Sequence, residues 1–207
     1  MKVYIKIILT LFVLLSINLL IPAQPVEVNR TYLIKKDFVS GLKGGEFTVY
    51  DHTGKTRLYR MESKWGLSHD VQVFSLPEKK LIARLKGIAI FATYKATVTI
   101  LNANNNQWTN GTLGQNFKIV GNKFTISFNK NRIVMEGTAA SLNTEFHEQP
   151  LGNTVAKFRK RVSSLLWRNK YDLQVSSNAY PDTLYFLGVA ARDHNNFKLL
   201  SRLIIAL

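Results

Sequence analysis

Apolar and polar residues alternate through EFTVYDHTGKTRLYRME, residues 46–62, on both sides of a break at Asp51–Lys55. A period of two places successive side chains on opposite faces of a strand. Phe47, Val49, Leu58 and the rings of Tyr50 and Tyr59 suit half-buried pleated strands. Gly54, after His52-Thr53, can take the positive φ that a tight turn needs. The stretch DVQVFSLPEKKLIARLKG repeats the plan, with Val71, Val73 and Leu76 before a polar turn at Pro77, and Leu81, Ile82 and Leu85 after it. Two hairpins of one design predict a meander. ATVTIL then leads into the loop NANNNQ, and FKIVGNKFTISF turns at Gly121-Asn122. NRIVMEGTA, NTEFHEQ, VAKFRKRV and YDLQVSS close the series. Short strands with turn signals at close intervals predict a mainly β fold, an antiparallel barrel or sandwich.

YPDTLYFLGVAARDH breaks the alternation. Asp182 follows Pro181 as a helix N-cap, and Leu184 to Ala191 run with no charged residue. A helix apolar on every side must be buried on every side. In a β protein, that means a helix enclosed by the sheet. Gly188 costs about 1 kcal/mol in a helix interior, and close approach by a strand is the expected compensation. FKLLSRLIIAL predicts a further amphipathic helix over 196–207. Phe197, Leu199, Leu200, Leu203, Ile204 and Leu207 share one side, with Lys198 and Arg202 opposite. Such a helix packs on the domain or docks on a membrane or a protein partner.

The start of the chain has its own pattern. Lys2 and Lys6 precede an almost wholly apolar run from Ile7 to Ile21, followed by Pro22-Ala23. This is the form of a secretory signal over 1–23, with a mature domain over 24–195. A secreted protein, or one of the secretory lumen, is the expectation. The alternative is a membrane anchor through residues 7–21, although that run falls short of the ~20 residues needed to span a bilayer. There is no cysteine, so thiol nucleophiles, thiolate metal sites and acylation are excluded and the core alone must hold the fold. The sequons at Asn29 and Asn110 read as glycan acceptors on loops.

Charge adds a direction. Twenty-eight Lys and Arg against thirteen Asp and Glu give +15, which favours polyanions. For an exported protein the expected partners are an anionic membrane surface or an acidic polymer, not nucleic acid. In VAKFRKRV, alternation puts Val155, Lys157, Arg159 and Arg161 on one face and Ala156, Phe158, Lys160 and Val162 on the other. The second face should look inward, with Lys160 near a rim. The first is then an outer row of three cations at a spacing of about 7 Å. Lys79, Lys80, Arg84 and Lys86 form a second basic group on one hairpin.

Nothing comparable points to catalysis. His52, His69, His147 and His194 have no metal-ligand spacing, and His194 reads as a helix-end residue complementing the dipole. No nucleophile elbow or phosphate loop occurs. Asp51, Asp70, Asp172 and Asp182 fall at turns or caps. The chain reads as a non-enzyme with no cofactor or metal.

FTVYDHTGKTRLYRMESKW and VQVFSLPEKKLIARLKG resemble the paired hairpins that open a LURP-one-related domain. GNTVAKFRKR followed by LLWRNKYDLQV is similar to that family's Gly-x-x-(Val/Ala)-Ala strand and its Tyr-x-(Val/Leu)-x-Val strand. DTLYFLGVAARDH resembles its apolar C-terminal helix. The resemblance runs from about Thr31 to Asp193. It implies a tubby-like barrel of about twelve strands around a central helix, in the superfamily of tubby proteins and phospholipid scramblases. It also implies a lipid-related binding role. A structural or partner-binding role through the C-terminal helix, and scramblase-like lipid handling, are the alternatives. The absence of cysteine, the apparent export signal and the extra tail depart from the relatives.

Overall fold

The computed structural model describes residues 29–37, 45–64, 68–90, 93–116, 121–138, 141–162 and 169–205, with side chains given up to residue 194 except at 89 and 90. The leader at 1–23 lies outside the described residues, as do 163–168, which follow the basic row at Lys157–Arg161.

Twelve strands follow one another: β1 (Arg30–Lys36), β2 (Phe47–Tyr50), β3 (Arg57–Lys64), β4 (His69–Ser75), β5 (Lys80–Ile90), β6 (Thr93–Asn102), β7 (Gln107–Asn116), β8 (Asn122–Phe128), β9 (Asn131–Gly137), β10 (Asn143–Gln149), β11 (Thr154–Lys160) and β12 (Lys170–Val175). Each pairs antiparallel with its sequence neighbours, and β1 pairs with β12 to close the barrel. Closure leaves no unpaired edge. One α-helix among the described residues, α1 (Asp182–Ile205), completes the fold.

Alternation decides which side chains face in. In β6, Tyr94, Ala96, Val98 and Ile100 are buried while Thr93, Lys95 and Thr97 are exposed. The inward residues meet α1, where Leu184, Tyr185, Phe186, Leu187, Val189, Ala190 and Ala191 have at most 1% exposure. Phe186 packs against Tyr32 of β1 and Tyr59 of β3, and Tyr185 against Phe146 of β10. The helix is therefore enclosed, as its uninterrupted apolar run predicts. Gly188 has the expected role. A Cβ there would lie 2.9 Å from the Phe146 ring and 3.1 Å from the Met135 sulfur, so glycine lets β9 and β10 approach the helix.

Five expectations change. Asp70 and Asp172 lie within β4 and β12 rather than at turns or caps. Asn110 does not lie on a loop but within β7, a ten-residue strand that alternation does not reveal. Leu113 is its only buried residue. β7 forms because β6 and β8 each offer it a ladder, so neighbours override its poor strand composition. Val155 is buried rather than outward. The β10–β11 register shifts between Phe146 and His147, leaving Val155 as the extra residue of a bulge, so Val155 and Ala156 both turn inward. The two helical stretches form one continuous helix, whose side chains beyond His194 lie outside the description. His194 is consequently mid-helix, not at its end. Its ring stacks on that of His69 with centroids 4.0 Å apart, and His69 Nδ1 lies 2.7 Å from the Tyr94 hydroxyl.

Candidate functional site

Strand β11 carries the first basic row. Phe158 and Ala156 point into the core, which fixes Lys157 and Arg159 on the outer wall, both exposed. Neither makes an ion pair or side-chain hydrogen bond among the described residues. Arg161 differs. It lies just past the strand and donates from Nε and Nη2 to Asp172 at 2.8 and 2.6 Å. The hydrogen bond to Asp172 raises its pKa above the ordinary arginine value. The row of three thus holds two unpaired cations and one neutralised one. Lys160, the last residue of β11, is half-buried. Desolvation lowers its pKa, opposed by the Asp193 charge and assisted by Lys36 and Arg192.

The second group is similarly divided. Arg84 donates to Asp70 at 3.0 and 2.5 Å, and Asp70 is buried. That hydrogen bond raises the Arg84 pKa. Lys79, at positive φ in the turn, lies 3.6 Å from Glu62 and over the Phe74 ring. Lys80 reaches Asn106 at 3.4 Å. Lys86 is exposed with no ion partner among the described residues. Six residues separate Lys80 from Lys86, about 20 Å along an extended strand, so the hairpin does not concentrate its charge.

The two groups do not converge. Around the closed order, β5 and β11 are six strands apart in either direction. They occupy opposite walls, and no flat surface can touch both at once. Sequence reasoning lists the cations but lacks the closure that separates them.

A wall groove adjoins Lys86. It crosses β5, β6 and β7 with a volume of about 790 Å³ and is lined in part by Lys86, Ile88, Lys95, Thr97, Thr112 and Gly114. Lys95 carries no signal in the sequence beyond its alternation. Its position beside Lys86 follows from the β5–β6 register, in which Lys86 faces Thr97 and Ile88 faces Lys95. Asn29 and Asn110 are both exposed, and Asn110 accepts a hydrogen bond from Thr99 at 3.0 Å. Among the described residues, no group of three His, Asp or Glu is placed to hold a metal, and no helix is long and apolar enough to cross a membrane.

A closed twelve-stranded antiparallel barrel wrapped around an apolar helix is a tubby-like architecture. The LURP-one-related family model matches residues 30–191, nearly the whole barrel and its enclosed helix, and the chain belongs to that family. No curated protein and no solved structure matches it. The family is generally one of non-catalytic, binding-type barrels, and the fold is consistent with a lipid-related binding module.

Proposed function

We propose that the protein is a non-catalytic binding module for an anionic membrane surface or an acidic polymer, acting outside the cytosol. One observation carries the reading. Lys157 and Arg159 stand exposed on one wall without a carboxylate partner among the described residues, while Arg161 beside them is paired. Lys157 and Arg159 face Glu145 and Asp172 across the ladder, but without a direct ion pair they keep more of their attraction for an external anion than the paired guanidinium of Arg161 does. Each basic residue near an anionic bilayer contributes about 1 kcal/mol. That attraction is screened over a Debye length of about 10 Å at 0.1 M salt and 3 Å at 1 M.

Co-sedimentation with vesicles containing phosphatidylserine tests the reading. Binding should fall steeply between 50 mM and 500 mM salt, and Lys157→Gln/Arg159→Gln should weaken it. Binding that is absent, or indifferent to salt, would sink the idea. N-terminal sequencing of the mature protein tests the location, a start at Gln24 being the expected result.

A second reading has its own support. α1 continues for eleven residues beyond His194 as unbroken helix, about 16 Å at 1.5 Å per residue. An amphipathic extension of that length is suited to a protein partner. Deleting 197–207 should then abolish partner capture and leave the barrel folded.

A further inference from the structure

We propose that the cavity at the end of the barrel where α1 begins binds a short, uncharged oligosaccharide. The site uses none of the wall cations and does not depend on the reading above.

Turns frame this end. β6 stops at Asn102 and β7 starts at Gln107, β8 stops at Phe128, and residues 178–181 lead into α1. They enclose a cavity of about 710 Å³, within the size range of small-molecule sites. Five asparagines line it: Asn102, Asn104, Asn105, Asn129 and Asn178. Tyr59, Ile82 and Phe128 supply apolar surface beside them.

The cavity has little charge to offer. Asp182 is the one acidic or basic residue in its lining. The Asp182 carboxylate already accepts from Arg30 and from the Tyr32 hydroxyl. The Tyr180 hydroxyl, also at this end, donates to Glu148. Two cations stand outside the lining: Lys80, which reaches Asn106, and exposed Lys130, which follows Asn129. A chain of net charge +15 thus has a cavity with no lysine or arginine in its wall. An anion gains little there, whereas a ligand made of hydroxyl groups fits the amides.

Turn chemistry accounts for only part of the asparagines. The side-chain oxygens of Asn102 and Asn105 accept from the backbone N–H groups of Asn104 and Gln107 at 2.9 and 3.1 Å, which fixes the β6–β7 turn. Asn178 accepts from Arg30, and Asn129 takes a positive φ. Asn104 does none of these. It is exposed, and its side chain makes no hydrogen bond among the described residues. An amide carries an acceptor and two donors side by side, the pattern that neighbouring hydroxyls of a sugar ring match.

Two further features point to a sugar. Trp108 is 46% exposed, and its ladder partner Leu101 lines the cavity, so the indole stands beside the lip. A single exposed tryptophan needs no explanation by itself. Beside an amide-lined cavity it is a platform for the C–H face of a pyranose. Thr183 also lines the cavity, is buried, and its Oγ1 has no hydrogen-bond partner. Buried hydroxyls are nearly always satisfied, and a ligand hydroxyl reaching that depth would supply the bond.

The test screens the purified full chain on an array of immobilised neutral β-glucan, mannan, xylan and chitin oligosaccharides, with pectic and sulfated ones as acidic controls. The tetrasaccharide of the strongest neutral class is then titrated by calorimetry at 50 mM and 500 mM salt. One-to-one binding that salt does not change is expected. Asn104→Ala and Trp108→Ala should each weaken it at least tenfold at a wild-type melting temperature, and Trp108→Phe should restore part of the loss. Asn104→Ala decides the matter if Trp108→Ala folds poorly. Lys157→Gln/Arg159→Gln should bind the tetrasaccharide as wild type does while losing anionic vesicles, so the two readings fail separately. The inference is overturned if no neutral class binds, if only the acidic controls bind, if binding falls away at 500 mM salt, or if the folded cavity variants bind as wild type does.

Discussion

The Lys36 ammonium lies 2.6 Å from the Asp193 carboxylate, joining the last residue of β1 to the helix 157 positions later. Asp193 also accepts from the Tyr171 hydroxyl at 2.8 Å and is buried. The first residue of β1 mirrors this. Arg30 donates to Asp182 at 2.8 and 2.7 Å, with the Tyr32 hydroxyl on the same carboxylate. Six residues of strand span about 20 Å, and eleven of helix about 16 Å. One strand therefore pins the helix at Asp182 and Asp193, the two ends of its enclosed part.

Asp193→Ala should be strongly destabilising. It leaves Lys36 and Tyr171 without their acceptor in a desolvated site, and breaking such a pair costs about 3–5 kcal/mol when fully buried. Lys36 retains some solvent contact, so the lower end of that range is expected. Lys36→Met should cost less, because Asp193 keeps its bond from Tyr171. Denaturant titration of both variants checks the order.

Gly188→Val should cost about 1–3 kcal/mol by overpacking. The added carbon would crowd the edge of the Phe146 ring and the Met135 sulfur. Combining it with Phe146→Leu should recover part of the loss. A double-mutant cycle with no coupling would mean that the glycine is there for some other reason.

Lys160→Met should raise the melting temperature at pH 7. Desolvation holds the folded-state lysine pKa below its ordinary 10.5. Below the depressed folded value both states are charged, and the folded state bears the penalty. As pH rises through that value the folded lysine loses its proton before the unfolded one does, so wild type gains stability. The advantage of Lys160→Met should therefore shrink toward pH 10.5. Paired thermal melts from pH 7 to 10.5 would show the two curves converging.

Acid should loosen the first hairpin. Desolvation pushes the Asp51 pKa up, but hydrogen bonds from Thr53, Thr56 and Lys55 outweigh it and bring it down to about 2. The stabilisation is full above the ordinary value of 3.8 and is lost as pH falls from there through about 2. Amide exchange at Lys55 and Thr56 should accelerate over that interval, and Asp51→Ala should exchange fast throughout.

Much of the fold is legible in the chain because alternation and an all-apolar helix leave few arrangements open. Phe47, Val49, Phe158 and Leu184 to Ala191 are buried as their patterns require. β7 is not legible, because Asn110, Gly111 and Gly114 carry no strand signal and its neighbours impose the conformation. Val155 escapes because one bulge residue reverses facing locally. The site is legible only as a list of cations. Which ones are spent depends on cross-strand partners: Arg84 on Asp70 and Arg161 on Asp172. Which ones share a wall depends on closure. Lys95 and Gly114 join Lys86 only through the register of three strands.

The unpaired wall cations carry the functional proposal, so they are the place to test it. Vesicle co-sedimentation at 50 mM and 500 mM salt should compare wild type, Lys157→Gln/Arg159→Gln and Arg161→Gln, all with native melting curves or nearly so. The predicted result is salt-sensitive binding to anionic vesicles, weakened at least tenfold in the double variant and much less in Arg161→Gln. Equal binding by wild type and the double variant, or binding that persists unchanged at 500 mM salt, would contradict it.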